Sequence, residues 1–138
     1  MIDRREFLKT TAVAASALAV TSAPKVFAAE AGGGSCHAGI VYTEKKQGQW
    51  EGKAGGHAPH VTVKDGKVSV VTVHPMSEPH FIVRHTVVLE DGTVIGMKTF
   101  TATDKPESSF TLPEGYTGKA CATSFCNQHD LWVSEFTV

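Results

Sequence analysis

The sequence has no strong charge of either sign, no Cys-x-x-Cys pair and no long apolar run. Its 13 basic and 14 acidic residues nearly cancel, for a net charge of −1 at pH 7. No basic patch stands out, which argues against nucleic acid as a partner. The lack of Cys-x-x-Cys excludes a metal centre built on that motif, although three cysteines are present. One weakly apolar run, Thr10 to Ala23, is mostly Ala, Thr and Ser. It falls short of the roughly 20 residues a spanning helix needs. Past it, no stretch shows a convincing helical period.

What stands at the start reads as an address. Asp3-Arg4-Arg5-Glu6-Phe7-Leu8-Lys9 resembles a twin-arginine export signal. Val26 and Ala28 are small enough for the −3 and −1 positions, so residues 1–28 are expected to be a cleaved signal peptide. The exported protein would be periplasmic or otherwise outside the cytoplasm, with no stable membrane association after cleavage. Taking Arg4, Arg5, Lys9, Lys25, Asp3 and Glu6 from the total leaves 9 basic and 12 acidic residues in 110. That length suits one domain with a modest core. The twin-arginine route moves folded proteins, and one reason to need it is a metal inserted before export.

Residues 29–56 form a Gly-rich lead-in, with Gly32-Gly33-Gly34-Ser35 reading as a flexible linker. Ile40-Val41-Tyr42 is a short strand candidate. Residues 57–138 read as β throughout. Val61 and Val63 alternate with Thr62 and Lys64, Asp65-Gly66 is a hairpin turn, and Lys67 to Val73 returns. Phe81 to Glu90 and Thr93 to Thr101 flank Asp91-Gly92. Ser108 to Leu112, Tyr116 to Ala122 and Leu131 to Val138 complete the set. The expected fold is all-β, an immunoglobulin-like antiparallel sandwich of about seven strands. A small closed barrel is the second choice.

Seven histidines, at 37, 57, 60, 74, 80, 85 and 129, are the chemical signal. Cys126-Asn127-Gln128-His129 sets a sulfur and an imidazole donor three residues apart on one short loop. His74-Pro75-Met76-Ser77-Glu78-Pro79-His80 is a proline-stiffened excursion with a histidine at each end. His57-Ala58-Pro59 adds a histidine at a strand start. By contrast, His60 is in register with Thr62 and Lys64 and should face solvent. His85 lies mid-strand and reads as a packed histidine, and His37 sits in the flexible lead-in.

Taken together, His57-x-Pro, His74-Pro75-Met76-x-x-x-His80-Phe81-Ile82 and Cys126-Asn127-x-His129-x-Leu131-Trp132 resemble the iron domain of the superoxide reductases, the neelaredoxin and desulfoferrodoxin family. The likeness covers about residues 50–138, and Asp104-Lys105-Pro106-Glu107 also resembles a family segment. The resemblance implies a seven-stranded immunoglobulin-like sandwich holding one non-haem iron. His57, His74, His80 and His129 would be equatorial nitrogen ligands and Cys126 the axial sulfur. Imidazoles suit Fe(II), and a thiolate opposite an open position pushes electron density toward what binds there. The implied reaction reduces superoxide to hydrogen peroxide with electrons from an external donor protein. A homo-oligomer, dimer or tetramer, is implied as well.

The chain departs from that pattern at Gly55-Gly56, where the family carries Glu-Lys before the first ligand histidine. The lysine attracts the superoxide anion, so slower reaction is expected here, or a lysine from elsewhere. Lys53 and Lys105 are the candidates. With Cys126 on the metal, Cys36 and Cys121 are left to pair as a disulfide in an exported protein. Competing readings are a blue-copper electron carrier, an iron-binding redox accessory module with little turnover, and a structural zinc site. The first usually has a methionine soon after the last histidine. Here Leu131-Trp132-Val133 stands there instead.

Overall fold

The computed structural model describes residues 36–138, and the signal-peptide and linker expectations lie outside them. The described chain is an all-β sandwich of two sheets. Its strands are β1 (Val41–Tyr42), β2 (His60–Lys64), β3 (Lys67–Val71), β4 (Ile82–Leu89), β5 (Val94–Thr99), β6 (Glu107–Thr111), β7 (Lys119–Cys126) and β8 (Asp130–Thr137). Five form one sheet in the order β1-β8-β7-β4-β5, and three form the other in the order β2-β3-β6. There are eight strands rather than about seven because the two-residue β1 joins the edge, parallel to β8.

Turn chemistry fixes the registers. Asp65 and Gly66 both take positive φ, 49° and 71°, as a two-residue hairpin requires. They set Lys64 opposite Lys67. Gly92, at φ 87°, turns β4 into β5 while the Asp91 carboxylate accepts the Thr93 N–H at 2.9 Å. Tyr116 forms a corner: its hydroxyl donates to the Lys119 carbonyl at 2.6 Å. That contact and Gly118, at φ 147°, delay β7, which starts at Lys119 rather than Tyr116. The strand then runs on to Cys126, past the expected end at Ala122.

Alternation decides which side chains meet. Along β7, Ala120, Ala122, Ser124 and Cys126 are buried, while Cys121, Thr123 and Phe125 point outward. The first two pack with Val68 and Val70 of β3 and with Val87 and Leu89 of β4. This is the main core between the sheets. A bulge between Ile82 and Arg84 shifts the parity of β4, so Ile82 and then His85, Val87 and Leu89 all face inward. His60 is exposed, as the alternation requires. The glycine-rich approach to His57 is less irregular than expected. Ala54–His57 closes one helical turn, called α1, through an Ala58 N–H to Ala54 carbonyl bond of 2.8 Å. His37 belongs to a 3-10 turn, Cys36–Gly39.

His85 is fully buried. Burial, aided by the positive charge of Lys98, lowers its pKa from 6.5 to about 4. Between those values the unfolded chain binds the proton and the folded one does not. Stability therefore falls as pH drops from 6.5 toward 4, by on the order of 3 kcal/mol from this residue. Denaturant midpoints measured down through that window should fall less steeply for His85→Gln than for the native chain.

Candidate metal centre

Three separate segments converge at one end of the sandwich. The first is α1. Its helical turn carries His57 inward, and the Nδ1–H of that ring donates to the Lys53 carbonyl at 2.9 Å. This leaves Nε2 of His57 as the inward lone pair. The second is the loop after β3. Its entry is fixed by a His74 N–H to Thr72 carbonyl bond of 2.9 Å. Its exit is fixed by a Ser77–His80 turn, closed by backbone bonds of 3.0 and 2.9 Å. The third is the β7–β8 hairpin. Cys126 pairs with Asp130, so the loop holds Asn127, Gln128 and His129 alone. Asp130 closes it in the left-handed region at φ 63°, which returns His129 over Cys126.

Asn127 ties the second segment to the third. Its side chain accepts the Phe81 N–H at 3.0 Å and donates to the Pro79 carbonyl at 3.1 Å. Those two residues flank His80, so a single amide clamps that histidine from both sides. Trp132 supports the hairpin from below. It is fully buried, and its indole N–H donates to the His129 carbonyl at 2.9 Å. Its ring lies 5.7 Å from His57 and 5.6 Å from Tyr42, centroid to centroid. Trp50 meets His129 edge-on at 4.6 Å, and its N–H donates to the Asp130 carboxylate at 2.8 Å.

The donor atoms of His57, His74, His80 and Cys126 all lie within 4.8 Å of one another. His129 Nδ1 is 3.0 Å from Nε2 of His57 and 3.0 Å from Nε2 of His80. The Nε2 atoms of His80 and His74 are 3.1 Å apart. Neighbouring rings around the set, 57–129–80–74, have centroids 4.5 to 4.7 Å apart, and the 57–80 diagonal is 6.0 Å. The four imidazoles thus form a near-square. Cys126 Sγ, fully buried, approaches His129 Nδ1 at 3.6 Å.

The near-square fits a cation. Metal–imidazole bonds of about 2.1 Å at right angles put adjacent nitrogens about 3.0 Å apart. Each neutral imidazole has one proton and one lone pair. The proton of His57 is already committed to Lys53, so its lone pair points at the centre. Burial disfavours the charged form of three of these rings. Burial lowers the pKa of His74 to about 4, with the charges of His57 and His80 adding to it. Burial also lowers His57, against its bond to the Lys53 backbone, and lowers His129, with His80 and Lys53 adding. Four nitrogens and a sulfur exceed what a tetrahedral structural zinc site uses.

Several expectations are refined. The positive charge of Lys53 bears on both His57 and His129, whereas Lys105 lies in the β5–β6 loop. No disulfide forms: Cys36, Cys121 and Cys126 are all free thiols. Cys121 sits on the outer face of β7, paired across the sheet with Val88 and Glu135. Burial and the Glu135 carboxylate raise its pKa, which keeps it a thiol. Met76 gives no axial sulfur of the blue-copper kind. It packs against Ile82, Phe100 and Cys126, and its sulfur accepts the Ile82 N–H at 3.4 Å. Met97 is exposed on β5. A side chain fits at both glycines before His57: a Cβ on Gly55 meets nothing within 4 Å, and one on Gly56 meets only the Val73 carbonyl at 3.5 Å.

A sequence profile of the desulfoferrodoxin family matches residues 44–135. The chain belongs to that family. Solved structures agree. The superoxide reductase (neelaredoxin) of Ignicoccus hospitalis is 26% identical, with 71% of this chain and 93% of that one covered, at a TM-score of 0.60. A variant neelaredoxin of Archaeoglobus fulgidus in the reduced form is 25% identical, covering 62% and 90%, at 0.53. The one-iron superoxide reductase of Giardia intestinalis shares the fold at 20% identity, covering 59% and 97%, at 0.54. No curated protein sequence matches the chain.

Proposed function

We propose that this protein is an exported superoxide reductase whose iron is held by His57, His74, His80, His129 and Cys126. The observation that carries the reading is the near-square of imidazole lone pairs with a buried sulfur beside it. The net reaction takes one superoxide, one electron and two protons to one hydrogen peroxide. Bound iron supplies the one-electron reductant, cycling between Fe(II) and Fe(III).

The chain's own residues do the rest. Cys126 would offer its sulfur to the metal from the buried interior, and coordination itself would deprotonate it. His57 and His74 are buried, and His80 and His129 are half-buried, so the centre stands at the solvent boundary. Lys53 is exposed at the start of α1 and draws the superoxide anion toward the rings. Replacement electrons come from an external donor protein. The Asp3-Arg4-Arg5 leader supports export by the twin-arginine route to the periplasm, and the family likeness supports a homo-oligomer.

Metal analysis and an optical spectrum test the reading. We expect one iron per chain and a sulfur-to-Fe(III) band in the red after mild oxidation. A blue copper band with stoichiometric copper overturns it. Iron without superoxide-dependent oxidation favours the accessory-module reading, to which the missing Glu-Lys pair points. Lys53→Ala should slow the second-order reaction with superoxide by roughly 3- to 10-fold at low ionic strength, and the gap should close as salt rises. A stopped-flow rate equal to the native one at low salt removes Lys53 from this role.

A further inference from the structure

His85 is a buried titratable residue that the metal reading does not use. Its ring sits between the sheets within a polar chain. Nε2 is 2.9 Å from the Thr72 hydroxyl and Nδ1 is 2.8 Å from the Ser108 hydroxyl. The Thr72 hydroxyl in turn donates to Ser124 Oγ at 2.9 Å. Thr72, His85 and Ser124 are all at or below 1% exposure, so the two bonds among them are shielded from water.

One proton count fixes the direction of the chain. Thr72 has a single hydroxyl proton and gives it to Ser124. It must therefore accept from His85, which is protonated at Nε2. Nδ1 of His85 then accepts from Ser108. The bonds run one way, Ser108 to His85 to Thr72 to Ser124. The four residues come from both sheets: Ser108 from β6, His85 from β4, Ser124 from β7 and Thr72 from the end of β3.

Both ends of the near-square hang from this chain. The Thr72 carbonyl holds the His74 N–H at 2.9 Å, and the Thr72 N–H is held by the Pro106 carbonyl at 3.1 Å. Ser124 lies two residues before Cys126 on the same inward face of β7. A third link is apolar. The His85 ring meets Phe100 edge-on at 4.8 Å, and Phe100 packs in the cluster that buries Cys126.

We propose that His85 is a positioning residue of the metal centre: through Thr72 it holds the loop carrying His74 and His80 in register with the strand carrying Cys126. This rests on the reading of the near-square as a metal centre. A buried leucine would fill the space but has no donor or acceptor to join Thr72 to Ser108. Outer hydrogen bonds of this kind typically change metal affinity by about 10- to 100-fold when lost.

The full chain loaded with Co(II) tests it, read by the sulfur-to-cobalt absorption band and by the Co(II) dissociation constant. Thr72→Val keeps the shape and removes the hydroxyl. It should move the band and weaken Co(II) binding about 10-fold. Thr72→Ser should restore both, and His85→Phe should resemble Thr72→Val. A merely structural role would lower the melting temperature and leave the band in place, which overturns the proposal. Should those variants fail to fold, Ser108→Ala decides, because Ser108 is only half-buried. A shifted band supports the proposal, and a native band defeats it. If the native chain binds no Co(II), the metal reading itself falls and takes this inference with it.

Discussion

Replacing Cys126 with serine is expected to abolish the sulfur-to-metal absorption and to cut superoxide turnover by about 100-fold or more. The sulfur is the single soft donor of the set, and it is fully buried between Ile82 and Phe100. A serine hydroxyl is a poor, hard donor that stays protonated at neutral pH. It would also be buried beside apolar groups, at a cost of about 1 to 3 kcal/mol. The fold should survive this, because the main core around Val68, Val70 and Val87 is separate from that cluster. The electronic spectrum, metal content and circular dichroism of the variant measure all three points. A variant that keeps the band would show that Cys126 is not the metal's sulfur.

Trp132→Ala should be the most damaging single truncation for stability, at about 4 kcal/mol. For a domain of this size that lowers the melting temperature by roughly 15 °C. The indole is fully buried, so its removal opens a cavity beneath Tyr42 and His57. It also leaves the His129 carbonyl without its donor. Trp132→Phe separates the two effects. It retains most of the packing and loses only the hydrogen bond, for about 1 kcal/mol. Calorimetry on both variants checks the ratio. A loss of only a few degrees for alanine would mean that neighbouring side chains close the space.

Much of the fold was legible because its turns are local chemistry. Asp65-Gly66 and Asp91-Gly92 mark their hairpins without reference to anything distant. The inward face of β7 also follows from simple alternation. What was not legible depends on contacts far apart in sequence. The start of β7 is set by the Tyr116 hydroxyl reaching Lys119, and the parity of β4 by a bulge that no residue type announces. The site shows the same division. Its five candidate donors are picked out by the family resemblance of their motifs, but their cyclic order is not. The supporting roles of Trp50, Asn127 and Asp130 were missed. Trp50 alone left a signal, as a large aromatic stranded among glycines.

The span of the site has a consequence for how the protein acquires metal. His57 and His129 meet across 72 residues, and Trp50 and Asp130 across 80. Closing such long loops is entropically costly, and contacts of this range form slowly. Among the five candidate donors, an unfolded chain therefore offers two short chelating pairs, His74 with His80 and Cys126 with His129. Metal present from the start of refolding meets those pairs first, and binding to them stabilises the unfolded chain. Metal supplied after the sandwich has closed meets all five donors at once. The yield of correctly loaded protein should then depend on the order of addition, with late metal giving more of it.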